Sequence, residues 1–384
     1  MTRQSSAVPQ KDASGRWGFV VDLPAPSGRR QVRRRGFTTK KAAQEALTDL
    51  QSAARQGVYV APSRLTVGQY LGDWLDGLAA SGRRPTTIAG YRRLLEAHVI
   101  PALGGLLLQQ LEPAALNRLY SQLLTDGRRR GGGLAPRTVR YAHTVLGKAL
   151  SDAERTGLVA RNVARLASPP SASASRAPEM TAWTPAELHA FLVGVTDHHH
   201  GVLFRLTAMT GLRRGEVCGL RWADVDLDAG TVAVRQTITT VNHRPVVGPV
   251  KTARSRRVVD VDPTTTAVLR RHRTDQLEVR LLVGSGYRDH GLVFAGPDGE
   301  AWNPDSIGQA FDRAVSRSAL PRVRFHDLRH SHASHLLAAG VNVKVVSERL
   351  GHASVAFTLD VYAHVMPGQQ ADAAAAAAAL VDGL

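Results

Sequence analysis

The sequence predicts a multidomain, mainly α protein. It should contain a small N-terminal β-sheet with one helix, then a helical domain, then a mixed α+β domain. Three observations support this fold class. The chain of 384 residues is long enough for two or three domains. Its hydrophobic content of 43% is sufficient for packed cores. A Ser-, Pro- and Ala-rich stretch, expected to be a linker over residues 169–182, separates two different element patterns. We therefore expect domains at 1–64, 65–168 and 183–368, and a tail helix within 369–384.

Composition excludes several classes of protein. The single cysteine, Cys218, rules out an intramolecular disulfide framework and a Cys-rich metal site, and is expected to be a buried apolar residue. The apolar runs fall far short of the roughly 20 residues that span a bilayer. The polar N-terminus lacks the apolar region of a secretory signal. These features predict a cytoplasmic protein with no membrane partner.

The positive charge is concentrated in the first part of the chain. The net charge is +17, from 49 Lys+Arg and 32 Asp+Glu. Residues 1–64 hold 12 basic and 4 acidic residues, residues 65–168 hold 14 and 7, and residues 169–384 hold 23 and 21. General solubility does not require this asymmetry, whereas binding to a phosphate backbone does. The excess of Arg over Lys suits phosphate binding, but a GC-rich genome would produce it as well.

The N-terminal segment has the pattern of a small sheet braced by a helix. Strands are expected at 16–23 and 29–37, with a Pro- and Gly-containing turn at 24–28. A helix should begin after Thr38 or Thr39 and run to about residue 56. The second strand carries Arg33, Arg34 and Arg35, which we expect at the sheet edge as DNA-binding residues. A solvated basic hairpin is the alternative.

Residues 65–168 have helical periodicity throughout. Helices are expected to begin at Thr66, near Thr86, around Leu116 and near Pro136. Basic pairs lie close to two of these helix starts, where backbone N–H groups favour phosphate. They are candidate DNA-binding residues, with a merely solvated face as the alternative: Arg83, Arg84, Arg137 and Arg140.

The third domain begins with a helix start signal. Thr184 and Glu187 form a capping-box pattern, with proline at the first helical position. Short strands are expected near 231–237 and 257–261, followed by helices to about residue 366. An Ala-rich segment at 371–380 predicts a last helix.

Four segments of this domain carry side chains suited to phosphodiester chemistry. They are Thr210–Glu216, Val250–Thr252, His326–His330 and Leu350–His352, the last followed ten residues later by Tyr362. Two arginines can clamp the charge that develops on a phosphate under attack. A tyrosine can attack once its pKa of about 10 is lowered by nearby cations and a histidine takes its proton. His326 or His352 fits that need. The leaving 5′-oxygen needs an acid, such as a lysine on a hairpin.

The order and spacing of these segments resemble the tyrosine recombinase, or phage integrase, family over about residues 180–366. The family's catalytic positions fall on Arg213, Lys251, His326, Arg329, His352 and Tyr362. The two N-terminal regions look like the family's arm-binding domain and its SAM-like core-binding domain. One departure is Phe357, where relatives often carry threonine beside Thr358, and we expect it to leave the site undisturbed.

The resemblance implies a site-specific recombinase that integrates and excises a mobile element. It implies cleavage through a covalent 3′-phosphotyrosine, a Holliday junction, and a homotetramer on double-stranded DNA attachment sites. It further implies an excisionase and a host DNA-bending protein as partners, no cofactor, and a location in the cytoplasm on the nucleoid. The segment after Met366 would dock on a neighbouring protomer.

Other interpretations remain open at this point. A type-IB topoisomerase-like enzyme shares the chemistry, and a catalytically silent DNA-binding regulator shares the fold. Tyr362 alone could be a core residue, and the two arginines could form ion pairs with Glu216 or Asp327. The histidines of 326–335 lack a metalloprotease motif and a nearby cysteine, so no metal site is expected. His330, His332 and His335 are assigned to helix packing or DNA-backbone contacts.

Overall fold

The computed structural model describes residues 8–25, 28–56, 59–176, 181–250, 256–363 and 369–382. The chain divides into two compact units at the Ala177–Pro178 boundary. The predicted fold class is confirmed in each: the first unit holds a small sheet module and a helical domain, and the second is mixed α+β. No helix within the described ranges is both long and apolar enough to cross a membrane.

The N-terminal module is a three-stranded antiparallel sheet covered by one helix. The strands run in the order β1–β2–β3, and the module comprises β1 (Gln10–Lys11), β2 (Trp17–Ala25), β3 (Gly28–Phe37) and α1 (Lys40–Arg55). One face of β2 buries Phe19, Val21 and Leu23 against Leu47 and Leu50 of α1. The short strand β1 was not predicted.

The basic strand β3 lies at one edge of this sheet. Arg33 pairs with Val20 and Arg35 with Gly18, so both arginines lie on the face opposite α1. Arg34 lies on the other face, and all three side chains are exposed. The strand therefore presents cations on both faces of the edge.

The helical domain packs around one apolar core. Its helices are α2 (Val67–Ala80), α3 (Pro85–Leu94), α4 (Ile100–Leu103), α5 (Pro113–Asp126) and α6 (Pro136–Arg155). The four predicted helices are present, and α4 is an additional short one, reached from α3 through a π-helical turn at Leu95–Val99. Leu71, Leu116 and Leu146 are fully buried in the core.

The second unit surrounds two small β elements with helices. Its strands are β4 (Val225–Asp226), β5 (Thr231–Val234), β6 (Gln236–Val241), β7 (Arg244–Pro249) and β8 (Arg257–Asp260). Its helices are α7 (Pro185–Gly194), α8 (Gly201–Thr210), α9 (Arg214–Cys218), α10 (Pro263–Val283), α11 (Pro304–Ser316), α12 (Asp327–Ala338), α13 (Val343–Leu350), α14 (Val355–Tyr362) and α15 (Gln369–Asp382). The capping box of Thr184 and Glu187 is formed at the start of α7.

The single strand predicted at 231–237 is in fact two strands. β5 pairs with β4 and β8, whereas β6 leaves that sheet and forms a separate hairpin with β7. Asn242 and His243 join β6 to β7, both with positive φ (48° and 64°), as a two-residue hairpin turn of matching twist requires. In the sequence, Lys251 follows β7 by two residues.

Two apolar clusters stabilise this unit. The larger contains Trp183, Phe191, Phe204 and Phe311. The smaller is built from α12, α13 and α14, and it includes Tyr362, whose side chain is only 1% exposed. The tyrosine predicted to be a nucleophile is thus part of a packed core.

Creating a cavity in the core of the helical domain by substitution should destabilise that domain. We expect Leu146→Ala to reduce the free energy of opening of α6 by about 2–5 kcal/mol, because the side chain is completely buried. Hydrogen exchange resolved by peptide over residues 67–155 measures this directly. Leu124→Ala is the matched control, since that leucine is 39% exposed. Equal effects of the two substitutions would contradict the packing described here.

Candidate active site

Two arginines are held in place by two loops that meet beside α12. Arg213 precedes α9, and its Nη2 donates to the carbonyl of Gly351 at 3.0 Å. Arg329, on α12 and 2% exposed, donates from Nη1 to the carbonyl of Gly211 and from Nη2 to that of Leu350, both at 2.7 Å. Because each guanidinium is tied to the backbone, the positions of the two positive charges are fixed before any ligand binds.

Gly211 is needed for this arrangement. It ends α8 in the left-handed region, with φ of 66°. A Cβ at this position would lie 2.6 Å from Leu350 and 3.0 Å from His332. A side chain here would push apart the loops that hold Arg329.

A buried carboxylate joins Arg213 to a third arginine. Glu216 is 5% exposed and accepts from Arg213 Nη1 and Arg257 Nη2, both at 2.8 Å. Arg257, on β8, also donates from Nε to the carbonyl of Arg349 at 2.7 Å. Burial alone would raise the pKa of Glu216, but the two arginines hold it below its usual value. Glu216 is therefore ionised and keeps both cations in place.

Tyr362 ends α14 with its phenol group directed at a histidine. Its hydroxyl lies 2.6 Å from Nδ1 of His330, and the ring of His352 lies parallel to it with centroids 6.4 Å apart. Burial raises the pKa of Tyr362 to about 12, although the charge of Arg329 acts in the opposite direction. The guanidinium of Arg329 therefore acts in the expected direction, but desolvation has the larger effect and the net pKa is raised.

The Tyr362 hydroxyl contacts a histidine other than the two expected to take its proton. His326 or His352 was expected to take the tyrosine proton, yet the histidine on the hydroxyl is His330, assigned above to packing or backbone contacts. His326 contacts the ring of His330 edge-on, with centroids 5.0 Å apart. His352 Nδ1 is bonded instead to Thr358 Oγ1 at 2.8 Å. A possible sequence signal was the position of His330, four residues after His326 and therefore on the same helix face.

The half-exposed ring of Phe357 also contacts the site. It packs against His352 edge-on, with ring centroids 5.0 Å apart. That Phe357 leaves the site undisturbed stays a prediction. It limits the orientations that the His352 ring can adopt.

The imidazoles at the site are uncharged at neutral pH. Burial is the main cause, and it lowers the pKa of His326 to about 4 and that of His352 to about 3, with a further contribution from nearby Arg329 and Arg213. The pKa of His330 is lowered by burial as well. Neutral imidazoles can act as hydrogen-bond donors or as proton acceptors.

The remaining predicted residues lie elsewhere or are not described. Lys251 lies in the segment 251–255, outside the described residues. Arg83, Arg84 and Arg137 are exposed near the starts of α3 and α6. Arg140 is half-buried, donates to the carbonyl of Pro170 at 2.7 Å, and shares with Arg83 a cleft of ≈ 560 Å³. In the part of the chain that the structure describes, no three His, Cys, Asp or Glu side chains are placed to hold a metal ion.

Comparison with known proteins gives matches along most of the chain. Residues 187–368 match the phage integrase family, residues 10–54 an arm DNA-binding domain, and residues 66–124 the SAM-like N-terminal domain of phage integrases. An integrase of Streptomyces ambofaciens is 30% identical over 359 residues, which cover 90% of this chain and 89% of that protein.

Solved structures share the fold. The Tn1549 transposon integrase in complex with a circular intermediate DNA has a TM-score of 0.64 at 19% identity, covering 78% of this chain and 95% of that one. A λ integrase tetramer bound to a Holliday junction has a TM-score of 0.54 at 15% identity, covering 92% and 96%. Fold and site define a DNA breaking-and-rejoining enzyme. The chain belongs to the phage integrase family of tyrosine recombinases.

Removing the buried carboxylate should destabilise the second unit. We expect Glu216→Gln to lower its free energy of unfolding by about 3–5 kcal/mol at neutral pH, since two arginines lose their buried counter-charge. A carboxylate whose pKa is lower in the folded state than in the unfolded state stabilises the fold at pH values above its unfolded-state pKa. This stabilisation is lost as the pH falls through the folded-state pKa. The difference in free energy of unfolding between the variant and the wild-type protein should therefore become small well below pH 4.5.

Chemical unfolding at neutral and acid pH measures this difference. Glu300→Gln is the matched control, because Glu300 is 41% exposed and forms a surface pair with Arg288. Such a pair contributes about 0–1 kcal/mol. If the two variants lost the same stability, the network around Glu216 would not have the role assigned to it.

Proposed function

We propose that the chain is a site-specific recombinase that uses Tyr362 to cut and rejoin DNA during integration and excision of a mobile element. The observation that carries this proposal is the convergence of Tyr362 with Arg329, Arg213 and His352 on one point of the second unit. The carbonyl of Gly351 accepts a hydrogen bond from Arg213, and the next residue, His352, places its ring beside that of Tyr362. This loop therefore brings the cations close to the tyrosine.

The arginines would hold the scissile phosphate. More than a third of the Arg213 side chain is exposed, so it can meet a ligand, whereas Arg329 supports the same point from within the protein. During attack, negative charge grows on the non-bridging oxygens, and one preorganised donor can increase the rate by about 10²–10³. Neutral His352 and His326 can donate hydrogen bonds to the same oxygens.

The covalent step would conserve the energy of the broken bond. The Tyr362 oxygen attacks phosphorus, a 3′-phosphotyrosine bond forms, and the 5′-oxygen leaves. We assign Lys251 as the acid that protonates this oxygen. Attack of a 5′-hydroxyl on the phosphotyrosine then rejoins the strand, so no nucleotide hydrolysis is needed.

The first unit would grip the attachment site. We propose residues 1–64 as the arm-binding domain and 65–168 as the core-binding domain, joined by the linker 169–182 to a catalytic domain at 183–368. The concentrated positive charge and the exposed arginines of β3 support DNA binding. Within the core-binding domain, we propose contacts to the DNA backbone from Arg83, Arg84, Arg137 and Arg140.

Assembly would follow the pattern of the family. We propose a homotetramer on paired attachment sites, strand exchange through a Holliday junction, and help from an excisionase and a host DNA-bending protein. The λ integrase tetramer on a Holliday junction supports the first two points by analogy. The tail helix α15 would dock on the neighbouring protomer, since Leu380 and Val381 are 76% and 72% exposed. We place the protein in the cytoplasm, on the nucleoid.

The role of Tyr362 can be tested directly. We expect Tyr362→Phe to abolish the covalent adduct on a nicked suicide duplex made from the DNA that flanks the gene, because the attacking oxygen is lost. DNA affinity should be nearly unchanged. Tyr287→Phe, in the same unit but away from the site, should form adducts normally. Adduct formation by Tyr362→Phe would show that another residue is the nucleophile.

The topoisomerase alternative predicts a different activity. An enzyme of that type relaxes a supercoiled plasmid that has no attachment site, with many turnovers. The match to an arm DNA-binding domain favours the recombinase instead.

Removing the positive charges of strand β3 should affect binding to the two kinds of DNA site differently. We expect replacement of Arg33, Arg34 and Arg35 by alanine to weaken binding to distal arm sites far more than binding to the crossover core. For arm binding, the slope of log K against log salt concentration should become less negative, by the equivalent of up to about three phosphate contacts. Footprinting on the flanking DNA measures both sites. Replacing the exposed Arg128, Arg129 and Arg130 removes the same charge outside the sheet and should spare arm binding. Equal losses at both sites with the β3 variant would contradict this division.

A further inference from the structure

The proton on the attacking oxygen needs an acceptor. Tyr362 is 1% exposed, so water has little access to its hydroxyl. Its pKa is raised to about 12, mainly by burial, so at neutral pH the nucleophile is a phenol rather than a phenolate. A base in contact with this oxygen is therefore required for attack.

His330 is in contact with that oxygen. Its Nδ1 lies 2.6 Å from the Tyr362 hydroxyl, within the range of a hydrogen bond through which a proton can pass. The imidazole is uncharged, because burial lowers its pKa and the charges of Arg329 and Arg324 act in the same direction, against Asp327. With the hydrogen on Nε2, Nδ1 has a free lone pair facing the phenol.

The other two histidines are placed for different tasks. His352 has its Nδ1 bonded to Thr358, and its ring lies parallel to that of Tyr362 rather than directing a nitrogen at the hydroxyl. His326 contacts the ring of His330. The hydrogen bond to the Tyr362 hydroxyl is therefore made by His330 rather than by either of these two histidines.

We propose that His330 is the general base that takes the proton from Tyr362. This inference rests on the function proposed above. In the forward step, the O–H bond of Tyr362 breaks and the proton moves to Nδ1 of His330 while the oxygen bonds to phosphorus. The bond from phosphorus to the 5′-oxygen breaks, and Lys251 protonates that oxygen. In the rejoining step Lys251, now uncharged, takes the proton of the attacking 5′-hydroxyl as its oxygen bonds to phosphorus. The bond from phosphorus to Tyr362 breaks and the imidazolium returns its proton to the tyrosine oxygen, so no proton is gained or lost over the cycle.

The substitution His330→Asn separates a base from a positioning residue. The amide oxygen of asparagine can accept a hydrogen bond near the place of Nδ1, but it cannot take a proton at neutral pH. We expect the cleavage rate on the suicide duplex to fall about 10²–10⁴-fold, with unchanged DNA affinity. His335→Asn, on the same helix but bonded to the carbonyl of Trp183, should cleave at the wild-type rate. Cleavage by His330→Asn within a few-fold of wild type would overturn the proposal.

A substrate with sulfur as the 5′-bridging atom distinguishes a base from an acid. A thiolate leaves without protonation, so Lys251→Ala should recover activity on this substrate, whereas His330→Asn should remain slow. Recovery of His330→Asn would assign His330 to the leaving group and overturn the proposal.

The wild-type protein provides an independent measurement. On the sulfur substrate, a neutral histidine base with a lowered pKa gives a cleavage rate that is flat above pH 7. Attack by an unassisted phenol of high pKa would instead increase about tenfold per pH unit, and would overturn the proposal.

Failure of the proposed function and failure of the His330 role give different results. If wild-type protein forms no adduct that depends on Tyr362, the proposed function falls and the role of His330 with it. If that adduct forms and His330→Asn is as fast as wild type, only the role of His330 falls.

Discussion

The carboxylate of Glu216 holds together the charged side of the site. It is buried, it accepts from Arg213 and Arg257, and these arginines in turn bond the carbonyls of Gly351 and Arg349. One anion thus connects α9, strand β8 and the turn after α13. Without it, two buried or half-buried cations would face Arg329 with no counter-charge, and the cost would be several kcal/mol.

The network contains more positive than negative groups. Burial and the charge of Arg213 lower the pKa of Arg329, although Glu216 acts in the opposite direction, because a nearby cation disfavours a second one. A phosphate would relieve this repulsion, and part of its binding free energy would come from that relief. The charge of Arg329 also favours an ionised Tyr362 oxygen, but burial has the larger effect and the pKa stays raised. A proton acceptor is therefore needed in addition to the cations. Electrostatics and proton transfer are therefore two separate requirements of the site.

Much of the fold could be predicted from local patterns in the sequence. The capping pattern at Thr184 and the apolar spacing of α2 and α6 involve residues close in the chain, and these elements form where expected. The division of 231–237 into β5 and β6 could not be predicted, because it depends on which distant strand each half pairs with.

The site divides along the same line. Short motifs with fixed spacing predicted Arg213, Arg329, His352 and Tyr362 as site residues, and the fold brings all four together. Arg257 was missed because a basic strand usually faces solvent, whereas here Val258 is 64% exposed and the arginine is turned inward to Glu216. That reversal of the usual alternation follows from a partner 41 residues away, which no local pattern contains.

The position of Tyr362 links stability to chemistry. Its ring completes the small apolar cluster of α12, α13 and α14 with Leu337, Val346 and Leu350. Leu350 also supplies the carbonyl that holds Arg329, so packing around the tyrosine and alignment of the arginine depend on the same residue. The cluster raises the tyrosine pKa by excluding water. Its packing around the ring also keeps the hydroxyl against His330. A looser cluster would lower that pKa but would also release the hydroxyl from His330. In the proposed mechanism, the buried position therefore suits a nucleophile that reacts only when phosphate, arginines and base are all in place.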